Sequence, residues 1–348
     1  MPNIQFKPKN TTKKLLAVLP DRAREVLIKR YGLGKSTEKM TLDSIGKLYG
    51  ITRERVRQIE NYALTNIRKS DVYKEEKASF TEIENLIHSL GGIVVEEDFL
   101  EHTSKDRELQ NHIHFLLVIG DGFKKRKEDN DFKHRWHVNE ELAKQVESSL
   151  SKLYGSLSND DLLLESEIIN KFLGHLESVS EKYKNQEIVK RWLSLSKTLG
   201  KNAMGEWGVA SSSNIKTKGM RDYAFLVIRK HGSPIHFKEV AKQITSVFKK
   251  KAHIATTHNE LIKDKRFVLV GRGLYALKEW GYMSGVVKDV IKNILEKYGP
   301  LTKEEIIDKV MKERYVKENT IMVNLQNQKT FRKNKDGKYE LIEVKVVA

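Results

Sequence analysis

The sequence predicts a mainly α-helical protein with small β-hairpin wings, built as a multi-domain tandem of helix-turn-helix and winged-helix modules. Three observations predict this fold class. The stretch from residue 41 to residue 69 has the turn residues and apolar spacing of a helix-turn-helix. An order of three helices followed by a hairpin recurs further along the chain. The 348 residues are also long enough for several small domains rather than one large core.

The helix-turn-helix stretch contains two short helices joined by a sharp turn. Thr41 can cap the first helix, Gly50 supplies the left-handed residue that the turn requires, and Thr52 can cap the second helix. Apolar residues of the second helix recur at intervals of three and four and therefore share one face. This apolar face consists of Val56, Ile59, Ala63 and Ile67, and the opposite polar face consists of Arg53, Glu54, Arg57 and Gln58.

The polar face has the chemistry of a base-reading surface. In the major groove Arg pairs with guanine, Gln with adenine, and a carboxylate accepts a hydrogen bond from cytosine. The alternative is the ordinary solvated face of an amphipathic helix. We favour contact with double-stranded DNA because of the resemblance described next.

The string TLDSIGKLYGITRERVRQIENYAL, with PDRAREVLIKRYGL before it, closely resembles region four of primary-type bacterial sigma factors. The resemblance runs from about Leu15 to Arg68 and implies that the polar face contacts bases. It implies phosphate contacts from Arg30, Thr41, Leu42, Lys47 and Arg55. It also implies docking on the flap of the β subunit of the RNA polymerase core. Region four here opens the chain, and no aromatic-rich promoter-melting segment is found, so we expect no transcription initiation by this protein alone.

The charge is unevenly distributed along the chain. The net charge of +17 divides into +10 for residues 1–70, −6 for residues 71–217 and +13 for residues 218–348. Two basic ends around an acidic middle indicate that the ends approach a polyanion, while the middle acts as a spacer or a protein-contact surface.

The segments on either side of the helix-turn-helix complete the predicted organisation. Residues 1–13 are expected to form a mobile basic arm, and residues 15–33 a supporting helix, within a domain at 1–72. A winged-helix-like module at 77–138 follows. Acidic neighbours partly cancel the positive charge of its basic tip at 124–127. We expect this module to make protein contacts or weak DNA contacts. A helical segment at 139–200 and a Gly/Ser-rich linker at 201–217 come next.

The C-terminal part repeats the winged pattern twice, at 218–281 and at 282–343. The pattern G-x-P-x-H-F-x-E-V-A and the wing GRGLYAL in the first repeat resemble the HARE-HTH family, which includes the N-terminal domain of the RNA polymerase δ subunit. This resemblance implies contact with nucleic acid or with the transcription machinery. Lys249, Lys250, Lys251 and Arg272 are the predicted wing contacts with DNA.

Several function classes find no support in the sequence. No run of 18 apolar residues and no secretory leader is found, which predicts no membrane partner and a cytoplasmic, nucleoid-associated location. The absence of cysteine excludes disulfides and Cys-based zinc fingers. No nucleotide-binding or catalytic motif is found, so we expect no enzyme, cofactor or small-molecule substrate. The histidines are not spaced as metal ligands, so no metal is expected. These are His102, His112, His114, His134 and His137.

The sequence therefore predicts a DNA-binding transcription factor related to sigma factors, with winged helices that hold further DNA or the polymerase. The alternative is a δ-like modulator that docks on RNA polymerase and contacts DNA only incidentally.

Overall fold

The computed structural model describes residues 4–176, 181–283 and 285–342. The predicted fold class is confirmed: the protein is 57% helical, with 17 helices and small antiparallel strand pairs in the described ranges. The remaining positions of the predicted domains lie outside the described residues; they are 1–3, 177–180, 284 and 343. The chain divides into two compact units, Met1–Ser211 (unit 1) and Ser212–Ala348 (unit 2).

Unit 1 begins with a helix-turn-helix domain. Its helices are α1 (Pro8–Ala17), α2 (Asp21–Tyr31), α3 (Leu42–Tyr49), α4 (Arg53–Lys69) and the short α5 (Asp71–Glu75). The predicted supporting helix and the two helices around Gly50 are confirmed.

The prediction of a mobile basic arm at residues 1–13 is wrong for residues 4–13, the part of it that the structure describes, because Ile4 and Phe6 pack against the hydrophobic core. Pro8 lies in the first turn of α1, where its missing N–H costs no helical hydrogen bond. Thr11 is buried, and its hydroxyl donates to the Glu76 carboxylate at 2.8 Å. The described part of the basic N-terminal segment is therefore part of the folded domain.

Residues 77–138 fold in the order predicted for a winged helix, and we call them the first winged module. Its elements are α6 (Lys77–Ser89), β1 (Ile93–Val95), α7 (Glu96–Thr103), α8 (Arg107–Ile119), β2 (Lys124–Arg126) and β3 (Arg135–His137). The strands form an antiparallel sheet in the order β1-β3-β2, with Val94 opposite Trp136. The wing is the hairpin of β2 and β3.

Residues 140–209 repeat this order, and we call them the second winged module. Its elements are α9 (Glu140–Gly155), α10 (Glu165–Gly174), a 3₁₀ turn (Glu181–Tyr183), α11 (Gln186–Leu193), β4 (Leu199–Lys201) and β5 (Trp207–Val209). Leu163 and Trp207 exchange two backbone hydrogen bonds of 2.7 and 2.8 Å. This bridge corresponds to the pairing of β1 with β3 in the first winged module.

The second winged module covers the predicted helical segment at 139–200 and part of the predicted linker at 201–217. Each strand of its hairpin has three residues, and the hairpin LGKNAMGEWGV contains three glycines, a composition that is also typical of a linker. Part of the stretch predicted as a linker is therefore paired and packed within unit 1.

Unit 2 contains two more modules of the same order. The third winged module comprises α12 (Met220–His231), β6 (Ile235–His236), α13 (Phe237–Phe248), α14 (Ile254–Lys263), β7 (Phe267–Gly271) and β8 (Leu274–Leu277). A 3₁₀ turn (Lys278–Trp280) leads to the fourth winged module, which comprises α15 (Val287–Tyr298), α16 (Lys303–Glu313), α17 (Glu318–Leu325), β9 (Phe331–Lys333) and β10 (Tyr339–Leu341). Leu301 bridges to Tyr339 in the fourth module, and β6 pairs with β8 in the third.

The helix-turn-helix domain and the first winged module share one hydrophobic core. Leu15, Leu27 and Ile67 of the former lie in the same buried cluster as Ile113 and Phe115 of α8. Helix α8 contacts α1, α2 and α4 of the helix-turn-helix domain and α7 of its own module. Burial of the apolar surface that the two share fixes the orientation of the helix-turn-helix domain on the first winged module. Helix α8 occupies the position at which a winged helix carries its recognition helix. Because α8 is buried, it is not available to a DNA groove.

Neither a membrane segment nor a metal centre is found in the part of the chain that the structure describes. None of its helices combines the length and apolar character needed to cross a bilayer. No cluster of three or more His, Asp or Glu side chains is arranged there as a metal site.

Candidate nucleic-acid interface

The turn between α3 and α4 is built from three local interactions. The Thr41 hydroxyl accepts a hydrogen bond from the Ser44 backbone N–H at 3.1 Å, which caps α3. Gly50 ends α3 with φ of +65°, a conformation that costs glycine little. The Thr52 hydroxyl accepts from the Arg55 N–H at 3.1 Å and caps α4. These caps confirm the predicted boundaries and place the first turn of α4 at the surface.

Gly46 allows the two helices to approach closely, and the sequence reasoning missed its role. A Cβ at this position would lie 2.6 Å from the Ile51 carbonyl oxygen, in the middle of the turn. Its signal in the sequence is a glycine inside a short helix, where glycine is otherwise unfavourable.

The inner face of α4 anchors the recognition helix as predicted. Val56, Ala63 and Ile67 are fully buried, and Ile59 is partly buried. Val56 packs in a small core with Val26 of α2 and Ile45 of α3, while Ala63 and Ile67 join the core shared with the first winged module. One face of α4 is therefore held rigidly by two cores, and the other face is exposed.

The four predicted base-reading residues lie together on that exposed face. Arg53, Glu54, Arg57 and Gln58 are all exposed in the first two turns of α4. The Arg57 guanidinium donates two hydrogen bonds to the Glu54 carboxylate, at 2.9 and 2.6 Å. This hydrogen bonding lowers the pKa of Glu54, so the carboxylate is ionised at neutral pH. Both partners are more than half exposed, so exchange of this pair for contacts with bases costs little.

The predicted phosphate contacts surround the turn. Thr41 and Leu42 lie at the N-terminus of α3, where the helix dipole and free N–H groups favour an anion. Lys47 and Arg55 line an open cleft of about 540 Å³ between α3 and α4. Lys47 pairs with Asp43 at 2.8 Å, and Arg55 donates to Gln58 at 3.0 Å. Both pairs are exposed, so these cations remain available to phosphate.

Arg30 has a different environment from the other predicted phosphate contacts. Its guanidinium donates to the Met40 carbonyl at 3.0 Å and forms an ion pair with the largely buried Glu60 at 3.4 Å. The Tyr31 hydroxyl donates to the same Glu60 carboxylate at 2.9 Å. Arg30 therefore holds the segment before α3 against α4, and about a third of its side chain is exposed.

The first winged module holds the loop that leads into α3. The side-chain amide of the buried Asn111 on α8 donates to the carbonyls of Gly32 and Thr37, at 3.0 and 2.8 Å. Gly32 has φ of +66°, and a Cβ there would lie 2.7 Å from the Asn111 amide nitrogen. The position of the α3 N-terminus therefore depends on a side chain from another domain.

A partly buried group of polar side chains lies at the same junction. His114 of α8 is 3.7 Å from the Glu96 carboxylate and 3.4 Å from the Lys39 ammonium. Burial, and then the nearby Lys39 charge, lower the pKa of His114 to about 4, so its ring is neutral at physiological pH. Burial also lowers the pKa of Lys39. Burial opposes ionisation of Glu96, but the hydrogen bonds from Lys125 and Trp136 and the neighbouring positive charge together outweigh it and lower the pKa of Glu96.

Two of the four cations at the wing tip of the first winged module form internal ion pairs. Lys125 pairs with Glu96, and Arg126 pairs with Glu140 and Glu147. Lys124 and Lys127 are exposed, so the wing keeps some basic surface, whereas the buried α8 offers none. The five histidines weighed as metal ligands are not brought together into a metal site.

The predicted wing contacts of the third winged module are exposed. Arg272 lies at the hairpin tip beside Gly273, whose φ is +74°. Lys249 to Lys251 form the loop between α13 and α14, and Lys249 adopts φ of +54°. The neighbouring strand edge is covered, because the Tyr315 N–H donates to the Val270 carbonyl at 2.8 Å. The tip therefore remains open to solvent while one edge of the wing packs on the fourth winged module.

Comparison with known proteins identifies the helix-turn-helix. Residues 15–69 match the family described as Sigma-70, region 4, and the predicted resemblance is confirmed for these residues. The chain is 55% identical over 53 residues to the RNA polymerase sigma factor RpoS of Coxiella burnetii, covering 15% of each chain. It is 45% identical over 64 residues to RNA polymerase sigma factor SigA1 of Synechococcus elongatus, covering 18% of this chain and 16% of that relative.

A third relative is the RNA polymerase principal sigma factor HrdD of Streptomyces griseus, with 42% identity over 55 residues and 16% of each chain covered. The matched part thus spans about 15 to 16% of the length of these relatives. Each of these matches covers a stretch of domain size, and the resemblance of the third winged module to the HARE-HTH family stays a prediction.

Proposed function

We propose that this protein is a sequence-specific DNA-binding transcription factor related to sigma factors, which reads promoter-like DNA through α4. The observation that carries the proposal is the exposed face of α4. Arg53, Glu54, Arg57 and Gln58 project there from a helix whose start is capped and whose opposite face is buried. The match of residues 15–69 to Sigma-70, region 4 supports the same role.

The dimensions of α4 suit a major groove. Its 17 residues extend over roughly 26 Å at 1.5 Å per residue, and the exposed side chains lie in its first two turns. A B-DNA major groove is about 12 Å wide and admits an α-helix. With the N-terminal turns of α4 in the groove, Thr41, Leu42 and Lys47 of α3 would face the adjoining phosphates.

Further affinity would come from unit 2 without adding sequence preference. Residues 218–281 carry 14 Lys and Arg against five Asp and Glu, and the exposed Arg272 and Lys249 to Lys251 belong to this segment. Contacts of this kind go to phosphates and are therefore sensitive to salt. We propose them as wing contacts that retain DNA near α4.

The RNA polymerase core is the proposed protein partner. The relatives of the matched segment are named as RNA polymerase sigma factors, and the β flap is the docking point that the resemblance suggests. The first winged module supports a protein-contact role for the middle of the chain, because α8 is buried and two of its wing cations, Lys125 and Arg126, are paired. In the alternative function, a δ-like modulator, these contacts are primary and DNA reading is absent.

Selection of bound duplexes from a random pool by the full-length protein tests the proposal. An enriched motif a few base pairs long is expected, and Arg272→Ala should weaken binding to every selected and unselected duplex about equally. If no motif is enriched after repeated rounds and the protein still binds RNA polymerase core, this result would instead establish the δ-like modulator.

A further inference from the structure

Three aromatic side chains form a continuous stack at the base of the wing in the third winged module. The rings of His236 and Phe237 have centroids 4.5 Å apart and an interplanar angle of 29°. The rings of Phe237 and His258 are 4.1 Å apart at 17°. Phe237 therefore lies in the middle, and the buried Tyr275 meets His258 edge-on at 5.8 Å. We call His236, Phe237 and His258 the ring stack.

The backbone holds the ring stack in a fixed position. His236 lies in β6, which pairs with β8, and its Nδ1 accepts a hydrogen bond from the Lys238 backbone N–H at 3.3 Å. The wing passes directly against this ring, since a Cβ at Gly273 would lie 2.5 Å from His236 Nε2. All three rings of the stack are partly exposed. The stack is thus both preorganised and accessible to solvent.

The exposed side of α14 continues this apolar surface. Ile254 and Ile262 are 47% and 63% exposed, and they lie at intervals of four on either side of His258. Lys263 is the one cation on α14. This surface differs from the exposed face of α4, which presents charged and amide groups to base edges. An apolar and aromatic stripe suits the flat faces of bases, which are accessible only where the bases are unpaired.

Cations flank the elements that carry the ring stack. Lys249 to Lys251 lie in the loop that leads into α14, the helix of His258, and Arg272 precedes Gly273, where a Cβ would lie 2.5 Å from His236 Nε2. Rings flanked by cations are the arrangement with which proteins bind single strands, because the rings stack on bases and the cations contact phosphates. The net charge of +9 between residues 218 and 281 favours a polyanion over a protein partner for this surface.

We propose that the ring stack binds an unpaired base of locally strand-separated DNA, with Arg272 and Lys249 to Lys251 on the neighbouring phosphates. The base extends the stack of His236, Phe237 and His258 and is recognised by its face, so binding tolerates different base identities. The site is separate from α4, and the proposal does not depend on base reading by the helix-turn-helix. Unit 2 thereby gains a role that duplex binding alone does not supply.

Binding of the full-length protein to two DNA probes tests this proposal. One probe is a duplex without the selected motif, and the other is the same duplex with a short unpaired bubble at its centre. We expect the bubble probe to bind about tenfold more tightly per stacked base. A fluorescent adenine analogue placed in the bubble should be quenched on binding, because stacking quenches it.

Ring removal should abolish the preference for the bubble. Phe237→Leu keeps an apolar side chain but loses the central ring, and it should bind both probes with the duplex affinity of the wild type. His258→Leu is the second variant, should Phe237→Leu fail to fold by circular dichroism. Tyr298→Leu is the matched control, since Tyr298 is an aromatic residue of the fourth winged module with 50% exposure. It should retain both the preference and the quenching.

Two results would overturn the proposal. Equal affinity of the wild type for the two probes would show that the ring stack only packs the wing or faces a protein. A full bubble preference in folded Phe237→Leu and His258→Leu would place the unpaired base elsewhere. Neither result bears on base reading by α4, because neither probe contains the selected motif.

Discussion

Asn111→Ala tests whether the first winged module positions the helix-turn-helix domain. Asn111 is 3% exposed, and its amide donates to the Gly32 and Thr37 carbonyls at 3.0 and 2.8 Å. The substitution removes both hydrogen bonds and leaves two carbonyls without this donor. At about 0.5 to 1.5 kcal/mol for each bond, the free energy of unfolding should decrease by about 1 to 3 kcal/mol.

The local effect should be larger than the global one. The amides of Leu33 and Met40 bond to α2 at either end of the loop, and their hydrogen exchange should accelerate. Affinity for a selected DNA site should decrease, because the loop carries the N-terminus of α3. Gln110→Ala is the matched control. Its amide also bonds to a backbone carbonyl, that of Ser104, but the contact stays within the first winged module. Equal exchange at Leu33 and Met40 in the two variants would refute the role of Asn111.

Two further predictions concern the turn and the junction. Gly46→Ala places a Cβ 2.6 Å from the Ile51 carbonyl oxygen, so the free energy of unfolding measured by thermal denaturation should decrease by about 1 to 3 kcal/mol. Gly155→Ala is the control: a Cβ there has no neighbour within 4 Å, so this variant should be neutral or stabilising. Because the folded-state pKa of His114 is lowered to about 4 from 6.5, its contribution to stability is complete above about pH 6.5 and is lost as the pH falls towards 4. His114→Gln should therefore show a smaller decrease in its urea midpoint than the wild type between about pH 7 and about pH 5; an equal decrease would assign the acid sensitivity to other groups.

The helix-turn-helix could be predicted from sequence because its determinants are local. Thr41, Gly50 and Thr52 act within one or two turns of where they stand, and the apolar spacing of α4 needs no other domain to be recognised. The exposed face of α4 could also be predicted, because it is the face opposite the apolar residues. The pairing of Arg57 with Glu54 also obeys a local rule, as the two residues lie three apart on one helix.

The docking of α8 could not be predicted in the same way. It depends on contacts between residues about 50 to 100 positions apart, such as Arg68 with the Ile119 carbonyl. One signal was present in the sequence: the run HIHFLLVI is apolar on nearly all sides, which is typical of a helix buried on both faces. The second winged module could not be predicted because each strand of its hairpin has only three residues. In addition, Trp207 of this hairpin pairs with Leu163, more than 40 residues earlier in the chain.

One competition measurement tests most directly whether α4 reads bases rather than only binding phosphate. The selected duplex competes with its single-base variants for the wild type, Arg57→Ala, Gln58→Ala and Lys47→Ala. Arg57 and Gln58 are exposed, so their removal leaves the core of the domain intact. Arg57→Ala and Gln58→Ala should lose discrimination by about ten- to a hundredfold at one or two adjacent positions while binding to unrelated DNA is unchanged. Lys47→Ala should weaken all sequences alike. Discrimination by Arg57→Ala and Gln58→Ala equal to that of the wild type would contradict base reading by α4.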